Sequence, residues 1–131
     1  MEGEQQRLRS EPLATVERSE HAGVRLVAVT GELDISNVAL LEDATFDLPN
    51  GELGIVLDLS LATYIDSATL GLLFKLQHSL QRRGQALRVV CLAESNAQRV
   101  LELTGFSDMV TCEAGREAAI AAIRADVPVH E

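Results

Sequence analysis

Gly54-Ile55-Val56-Leu57-Asp58-Leu59 constrains the fold more than any other stretch of this chain. It is apolar at successive positions, not alternate ones, so a strand built from it has both faces covered, as in a parallel or mixed sheet with helices on each side. That makes it the central strand. The chain around it alternates between the two periodicities of secondary structure, and strands alternating with helices after an opening hairpin predict an α/β sandwich.

Leu13 to Arg18 has a short β-compatible pattern, and Val24 to Thr30 is a stronger strand that Gly31 should end; together they suggest an antiparallel hairpin. Ser36 is placed to cap a helix carrying Leu40, Leu41, Ala44 and Phe46, with Pro49-Asn50-Gly51 as its stop. Beyond the central strand, Leu70, Leu73, Phe74, Leu76, Gln77 and Leu80 recur at helical spacing up to Gly84. Leu87 to Leu92 reads as a strand. Ser95 and Gln98 have the spacing of a capping box for a helix through Val100, Leu101 and Thr104 that Gly105 closes. Met109 to Cys112 reads as a short strand, and Arg116 to Ala125 as a final helix with Ala119, Ile120 and Ile123 on its packing side.

A length of 131 residues suits one domain. Residues 1–12 are polar and mixed in charge and suggest a flexible tail, with the domain over 13–125 and a C-terminal tail over 126–131. With 47% apolar and only 3% aromatic residues, the core must consist mainly of Leu, Val, Ile and Ala. No apolar run approaches the roughly 20 residues of a membrane helix, and Met1 to Ser10 is too polar for a signal peptide, so a cytoplasmic location without membrane attachment is expected. The net charge of −9 opposes binding to a phosphate backbone and favours a protein partner over nucleic acid.

Cys91 and Cys112 lie in apolar surroundings outside any metal-ligand spacing; two reduced, buried thiols are the favoured reading, and a disulfide between neighbouring strands is the other. His21, His78 and His130 are far apart and read as solvated surface residues. The chain has no P-loop, dinucleotide fingerprint or nucleophile elbow, so it is not expected to be an enzyme or to carry a cofactor or metal.

The informative stretch is Asp58 to Gly71, which joins the central strand to the amphipathic helix. Asp66 and Ser67 fall where that helix begins, and either side chain can accept from the unpaired N–H groups of the first turn. By itself this pattern is a helix cap. Asp58-Leu59-Ser60, Ile65-Asp66-Ser67 and Leu70-Gly71 together, however, closely resemble the core motif of STAS domains, the sulphate transporter and anti-sigma factor antagonist family. Gly31-Glu32-Leu33-Asp34 resembles the family's G-x-L-D loop, and Leu101 to Phe106 its penultimate helix end, so the similarity spans about Leu13 to Ala125.

The resemblance implies a STAS-like sandwich with a mixed sheet of about four to five strands and about four helices. It also implies an anti-sigma factor antagonist. Unphosphorylated, such a protein binds an anti-sigma factor that is also a serine kinase and so releases a sigma factor; phosphorylation on the serine matching Ser67 ends the binding, and a serine phosphatase restores it. The chain would be a monomer or weak dimer. Asp34, Asp66, Ser67, Thr69 and Leu70 are the partner-binding residues this implies. Thr69 stands where the family usually has glycine: it is either a harmless first-turn residue, which we favour, or one that crowds the loop, and its hydroxyl is a minor rival phosphoacceptor. The competing readings are a signalling-scaffold or transport-assembly subunit of the same fold, and a nucleotide-binding module.

Overall fold

A computed structural model describes residues 5–11 and 13–126, with side chains from residue 13 onward. Pro12, Pro128, His130 and the C-terminal tail beyond residue 126 lie outside the described residues. Strands β1 (Gln5–Glu11), β2 (Ala14–His21), β3 (Val24–Leu33), β4 (Gly54–Ile65), β5 (Ala86–Val90) and β6 (Cys112–Glu113) form one sheet in chain order. β2 runs antiparallel to both its neighbours, β1 and β3, and β3 to β6 are mutually parallel. Helices α1 (Ala39–Thr45), α2 (Ser67–Arg82), α3 (Asn96–Leu103) and α4 (Arg116–Ala125) make the crossovers and the covering layers.

The run that defined the central strand does lie in the middle, paired with β3 on one side and β5 on the other. Its two apolar faces feed two cores. Ile55, Leu57 and Leu59 join Val27, Val29, Leu41, Leu73, Leu76 and Leu101 in the larger one. Val56 joins Val24, Leu26, Val90, Ala119 and Ile123 in a smaller one beneath α4. Alternate side chains of one strand therefore serve opposite layers, which is the two-sided burial that the unbroken apolar pattern required. In the larger core Phe74 meets Phe106 edge to face, centroids 5.1 Å apart.

Several boundaries differ from the sequence expectation, each for a tertiary reason. Residues expected to be a flexible tail supply β1, whose backbone pairs with β2; strand addition at an edge needs only main-chain N–H and C=O groups and so leaves no apolar signature. Apart from β1, the sheet has the expected five strands and four α-helices. Gly31 does not end β3. It has φ of +98°, and a Cβ there would fall 2.1 Å from the Leu13 carbonyl oxygen, which instead accepts the Glu32 N–H at 2.7 Å. Glycine thus allows a close approach inside a continuing strand. β4 likewise runs on to Ile65 through an irregular register opposite Ala28 and Thr30. Of the strand expected over Met109 to Cys112, only Cys112 is strand: a 3-10 turn at residues 106–108 leads into irregular backbone over 109–111, and pairing with β5 begins at Cys112. The limits of α4 are those read from the sequence.

Candidate functional site

β3 and β4 are parallel, so their carboxyl ends lie together, and each leads straight into a helical connection. Such strand ends are where α/β sheets place binding sites. Here they bring Asp34 and Ile35, which follow β3, beside Asp66 and Ser67, which follow β4.

Asp66 organises the junction. It is the N-cap of α2, with extended backbone, and its Oδ1 accepts the Thr69 N–H at 2.9 Å. Its Oδ2 accepts the Ile35 N–H at 3.0 Å across the gap between the two strands. Its own N–H donates to the Leu33 carbonyl (3.2 Å), and its carbonyl accepts from Leu70 N–H (3.0 Å). One residue thereby joins the end of β3, the turn after it and the first turn of α2. Ile65, just before it, donates its N–H to Asn96 Oδ1 at the start of α3 (3.1 Å).

The Asp34 turn is held from within. Asp34 Oδ1 accepts both the Ser36 N–H (2.9 Å) and the Ser36 hydroxyl (2.5 Å), while Asp34 N–H donates to Asn37 Oδ1 (2.9 Å). Asn37 is buried and donates its Nδ2 to the Glu32 carbonyl (2.9 Å). The Ser36 hydroxyl and N–H hold the Asp34 carboxyl below the usual carboxylate range. Ser36 is therefore not the cap of α1. Val38 occupies that position without a side-chain hydrogen bond, because Asp34, two residues back, has already taken the serine.

Ser67 is the first residue of α2 and is exposed. Leu70 is half-buried against the larger core. Thr69 is fully buried, and its Oγ1 has no hydrogen-bond partner. Its side chain fills the space under the first turn and presents no surface, so a kinase reaching Ser67 would not find the Thr69 hydroxyl beside it. Two exposed apolar residues adjoin this junction in the chain or by hydrogen bond: Ile35, whose N–H Asp66 accepts, is 78% exposed, and Tyr64, two residues before Asp66 in β4, is exposed as well. Ile35 and Asn96 are site residues that sequence reasoning missed. An isolated Ile between Asp34 and Ser36 belongs to no periodic pattern, and the Asn96 contact spans 31 residues.

The other aspartate of the motif is used differently. Asp58 is 2% exposed and faces the α4 layer, where Oδ2 is paired with Arg116 Nε and Oδ1 accepts the Ser60 N–H at 2.8 Å. Among the described residues no cluster of His, Cys, Asp or Glu could hold a metal ion, and no helix is long and apolar enough to cross a membrane.

Comparison with known proteins is consistent along the whole described domain. Residues 15–119 match the sequence pattern of the STAS domain. BtrV of Bordetella bronchiseptica, provisionally named an anti-sigma factor antagonist, is 30% identical over 107 residues, covering 81% of this chain and 91% of that protein. The crystal structure of an anti-sigma factor antagonist from Mycobacterium paratuberculosis superposes with a TM-score of 0.75 at 27% identity, covering 88% of this chain and 99% of that one. The anti-sigma factor antagonist SpoIIAA in its unphosphorylated form, at 19% identity and a TM-score of 0.68 over 86% of this chain and 99% of its own, shares the fold.

Proposed function

Since the chain belongs to the STAS domain family, among its anti-sigma factor antagonists, we propose that it captures an anti-sigma factor, frees a sigma factor by doing so, and loses that capacity when Ser67 is phosphorylated. One observation carries this reading: Ser67 is exposed at the start of α2, directly after an aspartate whose backbone and carboxylate are all engaged in holding that start in place. The hydroxyl is thus presented on a fixed platform. The partner is a protein with serine kinase activity, a serine phosphatase resets the switch, and the exchange takes place in the cytoplasm without direct contact to nucleic acid.

Ile35 and Tyr64 give a partner apolar surface to cover beside the Asp66–Ser67 junction, with Asp34 and Asp66 holding the two turns that frame it. Phosphorylation adds about −1.5 to −2 charges at that point. The helix N-terminus tolerates a dianion, and the N–H groups of Ser67 and Ala68 are not among those Asp66 accepts, so the domain stays folded. The partner does not tolerate it. An acidic group packed about 5 Å away, at an effective dielectric near 20, meets each added unit charge at a cost of about 3 kcal/mol. Inverting a 1:99 population takes about 5.5 kcal/mol, within reach of a dianion and its bulk.

The test is phosphorylation of the purified chain by its anti-sigma kinase with ATP, with and without Ser67→Ala. A single phosphate on Ser67 is expected. Ser67→Ala should keep binding the kinase, resist modification and release the sigma factor permanently. A phosphate mapped to Thr63 or Thr69, or equal modification of Ser67→Ala, would refute the assignment.

A further inference from the structure

The two cysteines, both free, come together where β5 ends beside β6, although 21 positions separate them in the chain. Cys112 opens β6 in register with Val89, and Cys91 lies two residues past Val89, donating its N–H to the Glu113 carbonyl at 3.4 Å. Leu87, Val89 and Cys91 all face the larger core, and Cys112 packs against that same core. Both sulfurs therefore stand on one side of the sheet as diagonal neighbours. The two thiols are close enough for each to perturb the other.

From this geometry we propose that Cys91 and Cys112 are a peroxide-responsive dithiol, in which Cys112 attacks the oxidant and Cys91 resolves it to a reversible intramolecular disulfide. The roles follow from exposure. Cys91 is buried, whereas Cys112 is only partly buried and is the one a small oxidant reaches. They also agree with the electrostatics of the pair. Interaction with Cys112 pushes the Cys91 thiol up, and burial adds to this; interaction with Cys91 holds Cys112 below its usual range, against the opposing effects of burial, Glu102 and Glu113. The thiolate is the nucleophile, so attack falls to Cys112.

In the first step the Cys112 thiolate bonds to one oxygen of hydrogen peroxide, the O–O bond breaks, hydroxide leaves, and Cys112 becomes a sulfenic acid. In the second, the Cys91 sulfur attacks the Cys112 sulfur, the S–O bond breaks, and the departing hydroxide takes the Cys91 proton as water. Two thiols lose two electrons in all, and the peroxide becomes two waters. A disulfide needs Cα atoms within about 7 Å, and on parallel strands about 4.8 Å apart with a rise of about 3.3 Å per residue a two-residue diagonal spans about 8 Å. β6 closes the difference. It is two residues long at the sheet edge, so a small shift breaks little pairing. The bond would anchor the start of residues 91–95, the segment leading to Asn96 and its hydrogen bond to Ile65 beside the Ser67 site.

The test treats the reduced full chain with equimolar hydrogen peroxide and maps the product by mass spectrometry without reduction. We expect a monomer lighter by two hydrogens, a Cys91–Cys112 cross-linked peptide, and reversal by a thiol reductant. In Cys91→Ser, dimedone should trap a sulfenic acid on Cys112; in Cys112→Ser, Cys91 should be modified many-fold more slowly. Wild type in denaturant controls for geometry: a cross-link forming there as fast as in the folded chain would overturn the proposal. Thiols that stay alkylatable after peroxide, Cys112-linked dimers, or Cys112 carried on to sulfinic acid without a cross-link would overturn it too. The wild-type cross-link decides the matter even if a variant fails to fold.

Discussion

Asp58 and Asp66 stand eight residues apart, one within β4 and one just past its end, and the fold uses them in opposite ways. Asp58 is buried and answered by a charge, the Arg116 guanidinium brought from α4. Asp66 lies at the sheet end and is answered only by backbone N–H groups, those of Ile35 and Thr69. A carboxylate inside the sandwich must be paired, because an unpaired buried charge is very costly. A carboxylate at a helix start is stabilised by the orphan donors of the first turn, and that leaves the next residue, Ser67, free for chemistry. The first aspartate secures the second-face helix, and the second holds the start of α2, where the proposed switch residue stands.

The most severe way to break this contrast is Arg116→Ala, which leaves Asp58 buried without its partner. A fully buried pair broken on one side costs about 3–5 kcal/mol, but the Arg116 side chain is 45% exposed and water can take part of its place, so about 2 kcal/mol is expected. Urea unfolding should show this loss while the rate of Ser67 phosphorylation in the folded protein stays unchanged. A slowed phosphorylation without lost stability would mean that the two aspartates share one role.

Asp66→Ala should give the opposite profile. Loss of the cap costs about 1–2 kcal/mol, less than the Arg116 change, yet phosphorylation should fall steeply because the α2 start and the Asp34 turn lose their common anchor. Asp66→Asn keeps a capping oxygen and should recover most of the stability, measured in the same urea titration.

Thr69→Val sharpens the comparison from beneath. The Thr69 hydroxyl is buried without a partner, so replacing it with a methyl should raise stability by about 1 kcal/mol and leave Ser67 a substrate. Thr69→Gly, by contrast, removes packed volume as well as helix propensity and should cost about 2 kcal/mol, more than a solvated first-turn position would lose. Thermal denaturation of the two variants should therefore move in opposite directions.

The smallest effect expected is that of pH on the Asp34 turn. Its carboxyl is held below the usual range by the Ser36 hydroxyl and N–H, so the ionised, hydrogen-bonded form contributes stability above the unfolded value of about 4 and loses it only as pH falls through the lower folded value. Between pH 5 and 8 the Asp34 and Ser36 NMR shifts should stay constant, and a transition inside that window would show that the turn is not held this way.

Much of the site was legible because its local rules are short in range. A helix beginning after Asp66 follows from the apolar spacing of Leu70 to Leu80 and from the capping chemistry of an aspartate. The Ser95 cap of α3 is read the same way, and its Oγ does accept the Gln98 N–H at 3.1 Å. Gln98, however, reaches the N–H of Glu94, not that of Ser95, because Glu94 has turned to a positive φ. Ser36 shows where such rules fail. Its residue type and position suit a cap, in which the hydroxyl accepts a backbone N–H, but here the hydroxyl donates to Asp34 two residues back, and composition does not say which role it takes.

By itself, then, the sequence determined the central strand, the periodic faces of α2 and α4, a cap at Asp66 or Ser67 and the family motif, all of which rest on contacts within about one helical turn or on unbroken patterning. Only the tertiary structure decided that Arg116 would answer Asp58 from 58 residues away, that Asn96 would hold Ile65, that Thr69 would point into the core, and that two cysteines would meet across β5 and β6. Those contacts depend on which strands become neighbours and in what register, and register is a property of the assembled sheet that no local stretch of residues encodes.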